Sequence, residues 1–150
     1  SARAERPVPP CDIWVYVKDP DPKGVNLRAG PGIGDRIVAV IPKDGDGTIL
    51  HLTGARNGWV RVARAETVEG KVVFKGAAWG HGSRFAVATR GPGRILDAPK
   101  ATGRVRGRTP AEYEVTVAGC LFKWLYVKSA RGIGWLAPDN YCGSPVTTCP

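Results

Sequence analysis

A chain of 150 residues without a long apolar run excludes a helical membrane span, which needs roughly 18 consecutive apolar residues. Twenty glycines and thirteen prolines weigh against long helices and favour short strands joined by tight turns. The formal charge of +9 is shared by both halves, 14 basic against 9 acidic residues through Arg90 and 8 against 4 beyond it, which directs attention to anionic partners.

In chain order, residues 1–12 read as an extended tail, because Arg3, Glu5, Arg6, Pro7, Pro9 and Pro10 can form no ladder and leave no apolar face to bury. The start at Ser1-Ala2-Arg3-Ala4 and the absence of Met fit a processed, exported protein or a trimmed chain. Ile13-Trp14-Val15-Tyr16-Val17 is a dense run of β-formers, and Asp19-Pro20-Asp21-Pro22-Lys23-Gly24 turns the chain. In Val25-Asn26-Leu27-Arg28 apolar and polar residues alternate, the period of a half-buried strand, and Ala29-Gly30-Pro31-Gly32 forbids its continuation. Further strands are expected at Ile37–Ile41 and Thr48–Leu52, separated by Pro42 and the Asp44-Gly45-Asp46-Gly47 turn. Asn57-Gly58 then turns the chain into Trp59-Val60-Arg61-Val62. From Trp59 to Trp79 an enlarged hairpin is expected, with residues 63–77 as an insertion, because the matching interval from Trp124 to Trp135 is nine residues shorter.

Arg90-Gly91-Pro92-Gly93 has no apolar content and reads as a break, with a linker at 91–94. Beyond it, Ile95-Leu96-Asp97-Ala98-Pro99 occupies the place of Leu27–Pro31, and Gly119–Val127 that of the Asn57-Gly58-Trp59 strand. Gly132-Ile133-Gly134-Trp135-Leu136 supplies the last strand. The offset from Trp59 to Trp124 defines an internal repeat of 65 residues, too few copies for a solenoid and natural for a tandem pair. Limited proteolysis near 90–94 is expected to release two folded pieces.

The motifs Val25–Gly32, Gly58–Val62 and Ala78–His81 resemble the bacterial SH3-like (SH3b) family, whose pattern runs V-N-V-R-x-G-P, then G-W-x-x-V, then G-W-V. At the third motif Ala78 stands for the family's glycine and Gly80 for its valine. The resemblance implies an all-β chain of two tandem small SH3-like β-barrels, the first at 13–90 and the second at 95–142, with a tail at 143–150. Ala137-Pro138-Asp139-Asn140-Tyr141 is also similar to the turn that ends eukaryotic SH3 domains, where proline and tyrosine line a peptide groove.

The four cysteines Cys11, Cys120, Cys142 and Cys149 form no C-x-x-C pair, and only His51 and His81 could assist a metal, so disulfides in an oxidising compartment are favoured over zinc. The barrel reading pairs Cys120 with Cys142 inside the second unit and Cys11 with Cys149 across the chain ends, with Cys142–Cys149 as the alternative. His81 is the best imidazole for function but reads first as an exposed turn residue, and His51 as a solvent-facing strand position. Neither phosphate-cradling nor paired-carboxylate motifs occur, and no cofactor is implied.

Arg104, Arg106 and Arg108 recur at every second position and would form a stripe about 13 Å long on one face of an extended strand, an anion contact or a charged edge. Trp124 and Tyr126, or Tyr141 with Pro138, would form an amphipathic groove wall. By resemblance, the expectation is a non-catalytic, extracytoplasmic bacterial module, periplasmic, secreted or at the cell surface. Its ligand would be cell-wall peptide or an anionic surface polymer. The alternative is a protein-interaction or inhibitory module using a peptide groove or an edge strand. Nucleic acid ranks below these, because the aromatic residues lie in core motifs.

Overall fold

The computed structural model describes residues 7–18, 21–45 and 47–143. The described chain is all-β: β1 (Pro10–Val17), β2 (Val25–Arg28), β3 (Ile37–Ile41), β4 (Thr48–Arg56), β5 (Trp59–Thr67), β6 (Val72–His81), β7 (Phe85–Thr89), β8 (Gly93–Leu96), β9 (Val105–Thr109), β10 (Glu114–Leu121), β11 (Trp124–Ser129), β12 (Gly132–Leu136) and β13 (Tyr141–Cys142). Two 3-10 turns, Gly82–Arg84 and Pro138–Asn140, precede β7 and β13.

These strands join one antiparallel sheet in the order β3-β2-β6-β5-β4-β1-β7-β10-β11-β12-β8-β9, with β13 added beside β7. A single pairing scheme occurs twice. The set β2 with β3 and β6, and β4–β5–β6, recurs as β8 with β9 and β12, and β10–β11–β12. Likewise β1 lies beside β4 and β7, as β7 lies beside β10 and β13. β7 therefore closes the first repeat and flanks the second.

Local sequence explains most strands. In β4 and β5, Leu50, Leu52, Val60 and Val62 alternate with partly exposed neighbours, and Leu125 and Val127 do so in β11. Each fully buried side chain of this kind contributes roughly 1.5–3 kcal/mol relative to exposure. β7 instead buries Phe85, Ala86 and Val87 consecutively, the pattern of a strand covered on both faces. The β4–β5 turn takes positive φ at Asn57 (50°) and Gly58 (86°), which suits a two-residue hairpin with right-handed strand twist. The β5–β6 hairpin is the longer of the two, 9 and 10 residues per strand against 6 and 5 in β11 and β12.

Three expectations are corrected. The tail ends before Pro10, because β1 begins there, and Cys11 and Asp12 lie within the sheet. Gly93 and Arg94 open β8, so the segment expected as a linker contains strand, and the Arg90 N–H donates to the Asn140 carbonyl at 2.8 Å. The cysteine pairing differs as well: Cys11 bonds Cys120 across the two repeats, and Cys142 is itself disulfide-bonded. Neither Cys120–Cys142 nor Cys11–Cys149 can then form, and Cys149 lies outside the described residues. No local pattern places Cys120 beside Cys11, because the proximity of β1 to the end of β10 is set by tertiary structure. Two backbone bonds reinforce that proximity: the Phe122 N–H donates to the Pro10 carbonyl at 2.8 Å, and the Asp12 N–H to the Phe122 carbonyl at 2.9 Å.

Because the Cys11–Cys120 bond spans 109 residues, replacing both by serine should cost about 4–5 kcal/mol in the chain-entropy account. Urea unfolding of C11S/C120S against the parent protein measures this. Nonreducing proteolysis at 90–92 should nick the chain without separating the halves.

Candidate functional site

The features with the most shape lie where the two repeats meet. β5 and β6 pair Trp59 with His81, and their rings meet edge to face at 5.1 Å. The 3-10 turn that follows holds them against the second repeat: the Gly82 N–H donates to the Gly58 carbonyl at 2.8 Å, and a Cβ at Gly82 would lie 2.5 Å from the Val117 carbonyl oxygen. Only glycine permits so close a seam. On the other side, Tyr126 of β11 faces Trp135 of β12, ring centroids 5.0 Å apart.

Three adjoining depressions lie here, the first lined by the first repeat alone and the other two by both repeats. The first, of about 280 Å³, is lined by Asn26, Arg28, Ile33, Trp59, His81 and Arg84 among others. The second, about 260 Å³, shares His81 and adds Ser83, Val117, Tyr126 and Lys128. A third, about 210 Å³, shares Asn57 and Tyr126 with the second and reaches Trp135 and Cys120. Together they trace a groove along the seam with aromatic walls and cations at intervals, a surface suited to an extended, partly apolar, partly anionic ligand.

His81 has a defined orientation. Ser83 lies 2.6 Å from Nδ1 through its Oγ, and its backbone N–H also donates to Nδ1 at 3.3 Å. An Nδ1 that accepts from the backbone leaves the proton of the neutral ring on Nε2, where it can donate to a ligand. This is a turn cap. No group of three His, Cys, Asp or Glu that could hold a metal occurs among the described residues, and the sulfurs of Cys11, Cys120 and Cys142 are in disulfides.

A second cluster joins the repeats beside the disulfide. Asp12 lies 2.6 Å from Nε2 of His51 through one oxygen, and accepts from Nζ of Lys123 at 2.7 Å through the other. Trp14 stacks on His51 at 5.1 Å, and the Tyr141 hydroxyl donates to the Lys123 carbonyl at 2.7 Å. His51 is thus half-buried and bonded, where the sequence pattern indicated a solvent-facing strand position. No local signal could have found this bond, whose partners are 39 residues apart. The hydrogen bonds from Lys123 and His51 hold the Asp12 carboxyl below its ordinary value of 3.8. Burial, with a smaller contribution from the Asp12 charge, pushes the Tyr141 phenol up to about 12.

Of the residues singled out from sequence, Tyr126 lines the groove. Trp124 shares its side of β11, half-buried, but lines none of these depressions. Pro138 opens the second 3-10 turn, exposed, and Tyr141 pairs with Thr89 in β13. Arg104, Arg106 and Arg108 are exposed, the last two on the outer face of β9, and none of them lines the groove. Trp59 and Trp135 read from sequence first as core or rim positions of a barrel, and His81, the best imidazole for function, as an exposed turn residue.

No protein-family model matches this chain, and no curated protein matches it. Among solved structures, NlpC2 from Trichomonas vaginalis aligns with a TM-score of 0.35 and 14% identity over 87% of this chain and 48% of that one. NlpC1 from the same organism aligns with a TM-score of 0.35 and 15% identity over 94% and 47%. The chain spans about half the length of these structures.

Tyr141 generates a pH prediction. Its raised value means that the stability it contributes is complete below pH 10.0 and is lost as pH rises toward about 12. Ultraviolet titration should show one phenolate appearing near pH 12, absent in Tyr141→Phe. Asp12 has the opposite sign: its contribution is present above pH 3.8 and falls away as acid titrates the lowered carboxyl, so D12N should flatten the acid limb of the stability profile.

Proposed function

We propose that the two repeats are fused SH3-like barrels forming a non-catalytic, extracytoplasmic binding module that holds a cell-wall peptide in the seam groove. The observation that carries this reading is the convergence of two ring pairs, Trp59–His81 and Tyr126–Trp135, on one groove built by both repeats. Rings pack against the apolar parts of a peptide while their polar tips stay hydrated. The His81 Nε2–H and the Asn57 amide offer hydrogen bonds to peptide groups, and Arg28 and Lys128 attract carboxylates, while Arg84 is paired with Asp21 at 3.8 Å. An oxidising location agrees with the Cys11–Cys120 disulfide. No helix among the described residues is long and apolar enough to cross a membrane.

A second reading has its own observation. β3 ends the strand order and exposes Ile37, Val38 and Val40, at 44%, 43% and 48%, an apolar edge of the kind that accepts a partner strand.

Cosedimentation with purified cell-wall material tests the groove. Trp59→Ala and Tyr126→Ala should each weaken retention by about 2 kcal/mol or more, the loss expected of a buried aromatic anchor, with circular dichroism unchanged. Retention unaffected by both substitutions, or no wall binding at low salt, would overturn it, and loss of partner binding on Val38→Lys would favour the edge strand.

A further inference from the structure

The two repeats share one pairing scheme but differ in the loop that leads into β2 and, in the second, into β8. Each loop begins with the same backbone bond at 2.8 Å, from the Lys18 N–H to the Arg84 carbonyl in the first repeat and from the Arg90 N–H to the Asn140 carbonyl in the second. Beyond that bond they diverge, because residues 18–24 join β1 to β2 whereas residues 90–92 suffice to join β7 to β8. In the second repeat the Asn140 side chain accepts from the Arg94 N–H at 3.4 Å, so the short loop and the 3-10 turn close on each other. In the first, the longer loop supplies Asp21, Lys23 and Gly24 to the wall of the first depression.

The strand that follows differs at one position. Both β2 and β8 carry a register shift before their last residue, and that residue lies opposite a tryptophan, Arg28 opposite Trp79 and Leu96 opposite Trp135. Leu96 is buried, at 2% exposure, so the shared scheme does not require a cation here. Arg28 instead lines the first depression. Its Nη1 donates to the Asp35 carbonyl at 2.9 Å, which orients the guanidinium and leaves its other N–H groups for a ligand.

The charges at this place do not cancel. The Asp21 carboxylate accepts from the Lys23 backbone N–H at 2.8 Å and pairs with Arg84 at 3.8 Å. The Lys23 ammonium and the Arg28 guanidinium have no acidic partner among the described residues. A loop lysine alone is a solvated charge, and Arg28 alone a brace for the β2–β3 turn. Both, however, line one concavity beside Trp59, from a loop and a strand position that the second repeat fills differently.

We infer that the first depression is a carboxylate subsite, which Lys23 and Arg28 give to the first repeat and the second lacks. It deepens, and rests on, the reading of the groove as a peptide site. A carboxylate of the peptide lies between the Lys23 ammonium and the Arg28 guanidinium, and the adjoining residues pass Trp59 and His81 into the depressions that both repeats line.

Cosedimentation of the full chain with cell wall tests this, using wall stripped of phosphate polymers by dilute acid, before and after its peptide carboxylates are converted to amides. The parent protein should bind the amidated wall about tenfold more weakly, the loss expected of one hydrogen-bonded charge pair. Arg28→Gln should bind the unmodified wall about tenfold more weakly and no longer distinguish the two preparations. Lys23→Gln, whose side chain braces nothing, should lose about threefold with circular dichroism unchanged, so a folding defect in Arg28→Gln would not hide the result. Tyr126→Ala should weaken binding to both preparations in equal proportion. Equal binding of the parent to the two preparations, or discrimination that survives both cation substitutions, overturns the carboxylate subsite and leaves the seam reading in place. Binding confined to unstripped wall assigns the cations to phosphate and also overturns it. Absence of binding to any preparation overturns the seam reading and the subsite with it.

Discussion

The fold depends on β7. Its Phe85-Ala86-Val87 run is covered on both faces and has strands on both edges, β1 on one side and β10 and β13 on the other. A strand shared in this way cannot be assigned to one repeat, so the hydrophobic core runs continuously from Val15 and Leu50 to Val115 and Leu125. The Cys11–Cys120 bond and the backbone bonds between Phe122 and the start of β1 close the other side of the same junction. Fusion also addresses a size problem: a unit of about 60 residues buries too little surface to be secure alone, and a shared strand gives each repeat part of the other's core.

The seam follows from that fusion. Once β7 sets the two repeats side by side, the turn after β6 must pass close to β10, and Gly82 allows it to approach the Val117 carbonyl. Where both repeats contribute, the walls come from the end of β4, the Asn57-Gly58 turn and the end of β6 in one repeat and from β10, β11 and β12 in the other. Asp12 completes the junction at the surface, bridging His51 of the first repeat to Lys123 of the second. The second and third depressions and the bridge are properties of the pair, while the first depression lies within the first repeat.

The sheet ends differ in chemistry although they occupy equivalent places in the two repeats. β3 is apolar outward and β9 is cationic outward. Equivalent strands with opposite surfaces are what two divergent uses of one pairing scheme would require, since only outward-facing positions can change without disturbing the core.

The sequence alone determined the all-β class, the places of most strands and the enlarged first hairpin, because each rests on local chemistry: alternation in Val25–Arg28, turn residues at Asn57-Gly58, β-formers in Ile13–Val17. It also marked the Arg104–Arg108 stripe, since a period of two in a strand puts alternate residues on one face. Tertiary structure alone decided which cysteines meet, that Gly93 and Arg94 begin a strand, that β7 serves both repeats, and that Trp59, His81, Tyr126 and Trp135 converge. Tyr126 was legible as an exposed ring on its strand, but its partners across the seam were not. These are contacts between residues many tens of positions apart, and no local pattern encodes which distant strand lies beside which. His51 shows the limit most directly: its alternation with Leu50 and Leu52 correctly turns it from the core, while the aspartate and tryptophan that engage it arrive with a strand begun 41 residues earlier.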